Sequence, residues 1–252
     1  TSEVLASGDG DTTTDVYERD LTAATTTLAS PSGTCPLAGC NAEYRAISSD
    51  GDLVFFQTAE RLDPGDSDSA LDVYVRDVAS ASTTLVSAPA TGCAGCGDEG
   101  ADAKFGSLAA GATRVFFSSA EPLAAGDEDE AVDVYERELG GTPNTLLVTP
   151  SGVCPLPGED GCDSSFEAAS SDGTQSIFST AERLSGEDVD SELDVYERAA
   201  GKTRLISAGN TVELGPSTPI LTSTSPSSPN PSLEPWVMGL SDSGTSIKIY
   251  ST

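Results

Sequence analysis

The sequence predicts an all-β fold made of repeated antiparallel sheets, and three observations predict it. The pentapeptide D-V-Y-x-R stands at 15–19, 72–76, 133–137 and 194–198, so the chain repeats with steps of 57 to 61 residues. Short apolar runs rich in Val, Phe, Ile and Thr flank each copy in a fixed order, separated by Gly, Asp and Ser turns. The same acids precede every copy at the same offsets. A repeat of this length points to a propeller or an array, in which each unit is one small sheet buried by its neighbours.

Taken in order, the first complete repeat offers four strands. Tyr44 to Ser48 leads through Ser49-Asp50-Gly51 into Leu53-Val54-Phe55-Phe56, an acidic loop follows, then Leu71 to Arg76, then Thr83 to Ser87. The second supplies Arg114 to Phe117, Asp133 to Arg137 and Thr145 to Val148, and the third Ser176 to Phe178, Asp194 to Arg198 and Thr203 to Ser207. Runs such as Val-Phe-Phe are apolar on both faces, as in a strand covered on both sides. No helix is predicted.

Both ends of the sequence read as half a repeat. Residues 1–29 hold only an acidic loop, Asp15 to Arg19 and Thr25 to Leu28, whereas 234–252 hold only the first two strands, Trp236 to Leu240 and Ile247 to Tyr250. One blade is therefore expected from 234–252 plus 1–29, with complete blades near 43–87, 103–149 and 166–207 and a Pro/Ser-rich loop at 208–233. The halves could meet within one molecule and close a ring, or meet head to tail between copies and build a filament. Without an initiator Met or a signal peptide, the sequence reads as a processed form or an excised piece.

The set S-x-D-G, V-F-F, D-V-Y-x-R-D and T-T-L-V-S resembles the WD40-like β-propeller repeat of the TolB type. That resemblance implies blades of four antiparallel strands around a central channel. The chain departs from it in having about four blades, and in a period above the roughly 40 to 50 residues of familiar propellers.

With 41 Asp plus Glu against 12 Lys plus Arg, the net charge is -29, and nucleic acid is excluded as a default partner because no basic stripe could neutralise phosphates. There is no His, which removes the usual imidazole catalysis and zinc ligation. No apolar run approaches a membrane span of about 20 residues. The six cysteines fall into close pairs, Cys35/Cys40, Cys93/Cys96 and Cys154/Cys162, within Gly- and Pro-rich loops. Local disulfides are expected, and with them an extracellular or cell-surface location.

The acidic loops carry the chemistry. Each reads D-x-D-x-x-x-D: Asp9, Asp11, Asp15; Asp66, Asp68, Asp72; Asp127, Asp129, Asp133; Asp188, Asp190, Asp194. Asp favours turns in any protein, but turn preference does not explain three fixed positions kept while the intervening residues change from Gly10 to Ser67, Glu128 and Val189. Calcium takes about six to eight oxygen ligands and suits such loops, so about one Ca2+ per repeat is expected in a structural role. Magnesium, which demands stricter geometry, fits less well. Glu3, Glu60, Glu121 and Glu182, six residues ahead of each first Asp, either join the ligands or accept a hydrogen bond from backbone or Arg. The motif arginines are expected in salt bridges, and the motif tyrosines in packing between blades.

Identical acids in every repeat argue for a shared structural task over a single active site, so no enzymatic activity is expected, and a hydrolase or lyase is the least favoured reading. The function anticipated is a surface scaffold or self-assembling filament subunit. The alternative is a secreted module that binds extracellular glycan or protein.

Overall fold

The structure, a computed structural model, describes residues 1–35, 40–97, 100–155 and 162–207, and the backbone of 235–240 and 247–251. The Pro/Ser-rich loop at 208–233 lies outside the described residues.

Among the described residues the named elements are all β-strands apart from one turn of 3₁₀ helix at Ala110–Ala112. The strands are β1 Tyr17–Asp20, β2 Thr25–Leu28, β3 Glu43–Ile47, β4 Leu53–Thr58, β5 Asp72–Asp77, β6 Ser82–Leu85, β7 Lys104–Ala109 and β8 Arg114–Ser119. After them come β9 Asp133–Glu138, β10 Asn144–Leu147, β11 Ser165–Ala169, β12 Gln175–Thr180, β13 Asp194–Ala199, β14 Lys202–Leu205, β15 Pro235–Leu240 and β16 Ile247–Ser251. They form three four-stranded antiparallel meanders, β3–β6, β7–β10 and β11–β14, and two two-stranded sheets, β1–β2 and β15–β16. The four-stranded blade is thus built as the sequence implies. The two half-repeats pair only internally among the described residues, with no ladder between β16 and β1.

Each blade is held from both faces. In β4, Val54, Phe55 and Phe56 are all buried, which explains why the strand is apolar without alternation. Phe56 and Tyr74 stand opposite each other in the ladder and stack at 5.8 Å; Phe117–Tyr135 and Phe178–Tyr196 repeat the pair at 5.5 and 5.8 Å. Such cross-strand aromatic pairs contribute about 0.5–1.5 kcal/mol each beyond area burial. The same rings also pack between blades as expected, Tyr74 in one core with Val16 and Ala29, Tyr135 with Phe55 and Val75, and Tyr196 with Phe116 and Val148.

Successive sheets also share core. Val16 and Ala29 join Val54, Phe56 and Leu85; Phe55 and Val75 join Val115 and Phe117; Phe116 and Val148 join Phe178 and Leu205. The first strand of every complete blade carries a bulge, at Tyr44/Ala46, Phe105/Ser107 and Phe166/Ala168. At the middle one, a Cβ on Gly106 would lie 2.7 Å from the Phe166 ring, so glycine lets that ring stack on Phe116 at 5.3 Å.

The motif arginines depart from expectation. Arg19, Arg76, Arg137 and Arg198 donate to the hydroxyls of Thr26, Thr83, Thr145 and Thr203, their direct cross-strand partners, at 2.8 to 2.9 Å. The threonine directly across the ladder reaches the guanidinium before any acid does. The ion pairs seen among the described residues lie elsewhere, at Arg45–Glu43, Arg114–Glu136, Arg114–Glu138 and Arg204–Glu197.

Candidate metal centres

Every acidic loop folds back so that its three aspartates converge. In all four loops, one carboxylate oxygen from each Asp lies within 4.8 Å of those of the other two. The third Asp opens strand β5, β9 or β13, or precedes β1, and the first two sit in the turn leading to it.

Each carboxylate is oriented by a hydrogen bond through one of its oxygens, and the scheme recurs in every repeat. The first Asp accepts the phenol proton of the motif tyrosine: Tyr17 to Asp9, Tyr74 to Asp66, Tyr135 to Asp127, Tyr196 to Asp188. The middle Asp accepts the backbone N–H two residues on, from Thr13 to Asp11 at 2.8 Å, Ala70 to Asp68 at 2.5 Å, Ala131 to Asp129 at 3.0 Å and Glu192 to Asp190 at 3.0 Å. The third Asp accepts a hydroxyl from beyond the fourth strand: Ser30 to Asp15 at 2.8 Å, Ser87 to Asp72 at 2.6 Å, and Thr149 to Asp133 and Ser207 to Asp194. That hydroxyl in turn accepts the N–H of Val16, Val73, Val134 or Val195 at 2.9 to 3.1 Å.

This bonding leaves carboxylate oxygens over. Asp9 Oδ1, Asp68 Oδ2, Asp127 Oδ1 and Asp188 Oδ1, one in each loop, are sealed from solvent and accept no hydrogen bond. Asp188 is only 8% exposed. An unsatisfied buried oxygen costs roughly 1–3 kcal/mol, more when charged, unless something fills its coordination. Convergent hard oxygens with fixed outer-shell donors are the donor set for a hard cation, so the residues present fit calcium.

Electrostatics agree with crowding. Burial pushes the carboxyls of Asp15, Asp66, Asp127 and Asp194 above their ordinary value. Burial first, then the charges of Asp127, Asp129 and Glu182, drive Asp133 up to about 8 against its bond from Thr149. Tyr17 is raised to about 12 by burial and by its bond to Asp9, which keeps the phenol protonated as a donor.

The glutamates stand outside the four Asp sets. Three of them bond backbone of the preceding inter-repeat loop. Glu60 accepts the N–H of Gly33 at 2.9 Å, Glu121 those of Gly100 and Ala101 at 2.7 and 3.0 Å, and Glu182 that of Gly152. Glu3 meets the site only through its backbone, its carbonyl accepting from Tyr17 at 2.9 Å.

The tyrosine hydroxyl and the Ser/Thr hydroxyl are parts of the cluster that sequence reasoning missed. The signal for the second was present: Ser30, Ser87, Thr149 and Ser207 each stand two residues after the Leu that ends the fourth strand. The cysteines bond as their spacing suggests, Cys35–Cys40, Cys93–Cys96 and Cys154–Cys162, with Cα separations of 5.8, 5.5 and 5.7 Å. No helix among the described residues is long and apolar enough to cross a membrane.

Fold and site together define an all-β repeat protein with one three-aspartate cluster per repeat. No protein-family model matches the chain, and neither does any curated protein.

Proposed function

We propose that this protein is an extracellular, calcium-stabilised β-propeller of the WD40-like kind with a structural role, as a surface scaffold or filament subunit. The observation that carries the reading is the fourfold recurrence of one complete arrangement. Three converging aspartates, a tyrosine and a hydroxyl are oriented alike in every repeat, with a sealed oxygen left for a cation. A catalytic centre needs one site unlike the others; four like sites serve the fold. Three short-range disulfides support an oxidising, secreted setting. The two-stranded sheets β1–β2 and β15–β16 each leave strand edges unpaired among the described residues, which supports a reading in which β16 of one copy adds to β1 of the next.

Thermal unfolding and light-scattering mass, in millimolar calcium and then in excess chelator, test this. Each site held at a hundredfold excess over its Kd adds about 2.7 kcal/mol. At roughly 2–4 °C per kcal/mol for a chain of this size, chelation lowers Tm by tens of degrees when all sites contribute. Assemblies larger than the 25.6 kDa chain in calcium support the filament. Identical unfolding in both buffers overturns the calcium role, and a lone monomer in calcium overturns the filament.

A further inference from the structure

The glutamates that stand outside the Asp sets point to how the repeats are joined. After its fourth strand each repeat runs through the hydroxyl that orients its third Asp and then passes against the Glu-x-Leu segment of the next repeat. Thr34 and Arg61 form an antiparallel bridge there, as do Val153 and Arg183. The approach is close enough to require glycine: a Cβ on Gly33 would lie 2.5 Å from Leu62 and 2.6 Å from the Arg61 carbonyl, and one on Gly152 would lie 2.4 Å from Leu184. Glu60 and Glu182 accept the N–H groups of those two glycines. One residue before Gly33, Ser32 donates to Asp11 Oδ2 at 3.1 Å. Each Glu thus reaches back to the acidic cluster of the repeat before its own. Consistent with this placement, Asp11 and Asp15 act on the charge of Glu60, and Asp129 on that of Glu182.

Glu60 and Glu182 are 7% and 6% exposed, and among the described residues neither forms an ion pair. Burying a carboxylate beside like charges, with only an amide N–H for company, is unfavourable unless a cation lies between them. Taking the calcium reading above as its basis, we propose that each cation is clamped between successive repeats. Glu60 supplies negative charge to the centre of Asp9, Asp11 and Asp15, and Glu182 to that of Asp127, Asp129 and Asp133. The metal then fixes the docking of one blade on the next as well as the shape of one loop. Glu121, bonded to Gly100 beside Asp68, serves the centre of Asp66, Asp68 and Asp72 in the same way.

Calcium titration by calorimetry, with terbium luminescence sensitised by the adjoining tyrosines, separates this from a purely structural clasp. Glu60→Gln and Glu182→Gln keep an acceptor for the glycine N–H and remove the charge. The proposal expects each variant to fold in saturating calcium, to lose roughly 10- to 100-fold in affinity at one site, and to keep the other sites. Wild-type affinity at every site in both variants overturns it while leaving the calcium reading intact. A wild-type chain that binds neither ion overturns both. Should Gln unfold one position, Glu182→Asp or Glu60→Asp, with the charge kept and withdrawn, is expected to fold and to bind more weakly, and unchanged affinity there overturns the clamp.

Discussion

The cluster that opens β9 and the cluster that precedes β1 are assembled from the same parts. Asp133 and Asp15 are both 8% exposed, and each accepts a hydroxyl from beyond the following strand. Their surroundings differ. Asp133 pairs in the ladder with Ser119 of a full strand β8, beneath Tyr135, which is wholly buried and stacked on Phe117. Asp15 lies outside any strand, its backbone exchanging hydrogen bonds of 2.9 and 2.8 Å with Thr1, and its Tyr17 is half-buried. Asp133 is driven to about 8, while Asp15 is raised by burial and held back by the bond from Ser30. Equal exposed area therefore does not mean equal desolvation. What a carboxylate feels is the depth of protein around it, and a complete blade supplies that depth.

The largest expected contrast comes from neutralising the third Asp. Asp133→Asn keeps an acceptor for Thr149 and removes the charge. In calcium it is predicted to destabilise by on the order of 2 kcal/mol or more, because a ligand is lost. In chelator the sign reverses: with the like-charge repulsion gone, the variant unfolds at a higher temperature than the wild type. Asp15→Asn follows the same signs with smaller amplitude. Paired melting curves of both variants in both buffers check this, and a wild-type-like response of Asp133→Asn in both would refute the contrast.

The pH dependence sharpens it next. Asp133 rises from an ordinary 3.8 to about 8, and Glu182 from 4.5 to about 6, both first through burial. A carboxyl whose folded pKa lies above its unfolded one binds its proton more tightly when folded. Its contribution is fully present below the unfolded value and is lost as pH rises through the folded one. Metal-free protein is thus predicted to gain stability as pH falls from about 8.5 to 6, a window in which a chain without His has few other groups to titrate. In calcium the slope inverts, since protons then compete with the ion. Chemical denaturation at several pH values, with and without chelator, reads both slopes, and parallel slopes would count against shared occupancy by proton and metal.

The strands and the aspartates were legible in the sequence for one reason: both are local. Val54 to Phe56 announce a strand covered on two faces, and Asp66, Asp68 and Asp72 lie within one short loop. The remaining parts depend on contacts that fold distant segments together. The Tyr135 ring packs inside its blade as its hydroxyl reaches Asp127 eight residues upstream, and Thr149 reaches Asp133 across a hairpin. Glu182 bonds a loop of the previous repeat, a pairing that no single repeat displays. The arginines misled for a compositional reason. With acids in large excess a salt bridge was the obvious partner, yet ladder register places a threonine opposite every one of them.

The smallest expected effect isolates that missed hydroxyl. Tyr135→Phe retains the ring stacked on Phe117 and deletes only the proton held by Asp127 Oδ2. Asp127 Oδ1 is sealed from solvent without a well-formed bond, so the variant leaves a half-buried carboxylate with only the Asp129 backbone N–H near it. Without metal that costs about 1–3 kcal/mol. With metal, the carboxylate loses the donor that aims it, and affinity at that one site falls by roughly 10- to 100-fold. Tyr17→Phe removes the equivalent bond to Asp9 at a ring that is only half-buried where Tyr135 is wholly buried, so solvent reaches the gap and replaces much of what is lost. Terbium titration of the two variants therefore ranks Tyr135→Phe as the weaker binder. Equal losses would mean that the hydroxyl acts through geometry alone, and that the burial difference between the two clusters has no part in setting their affinity.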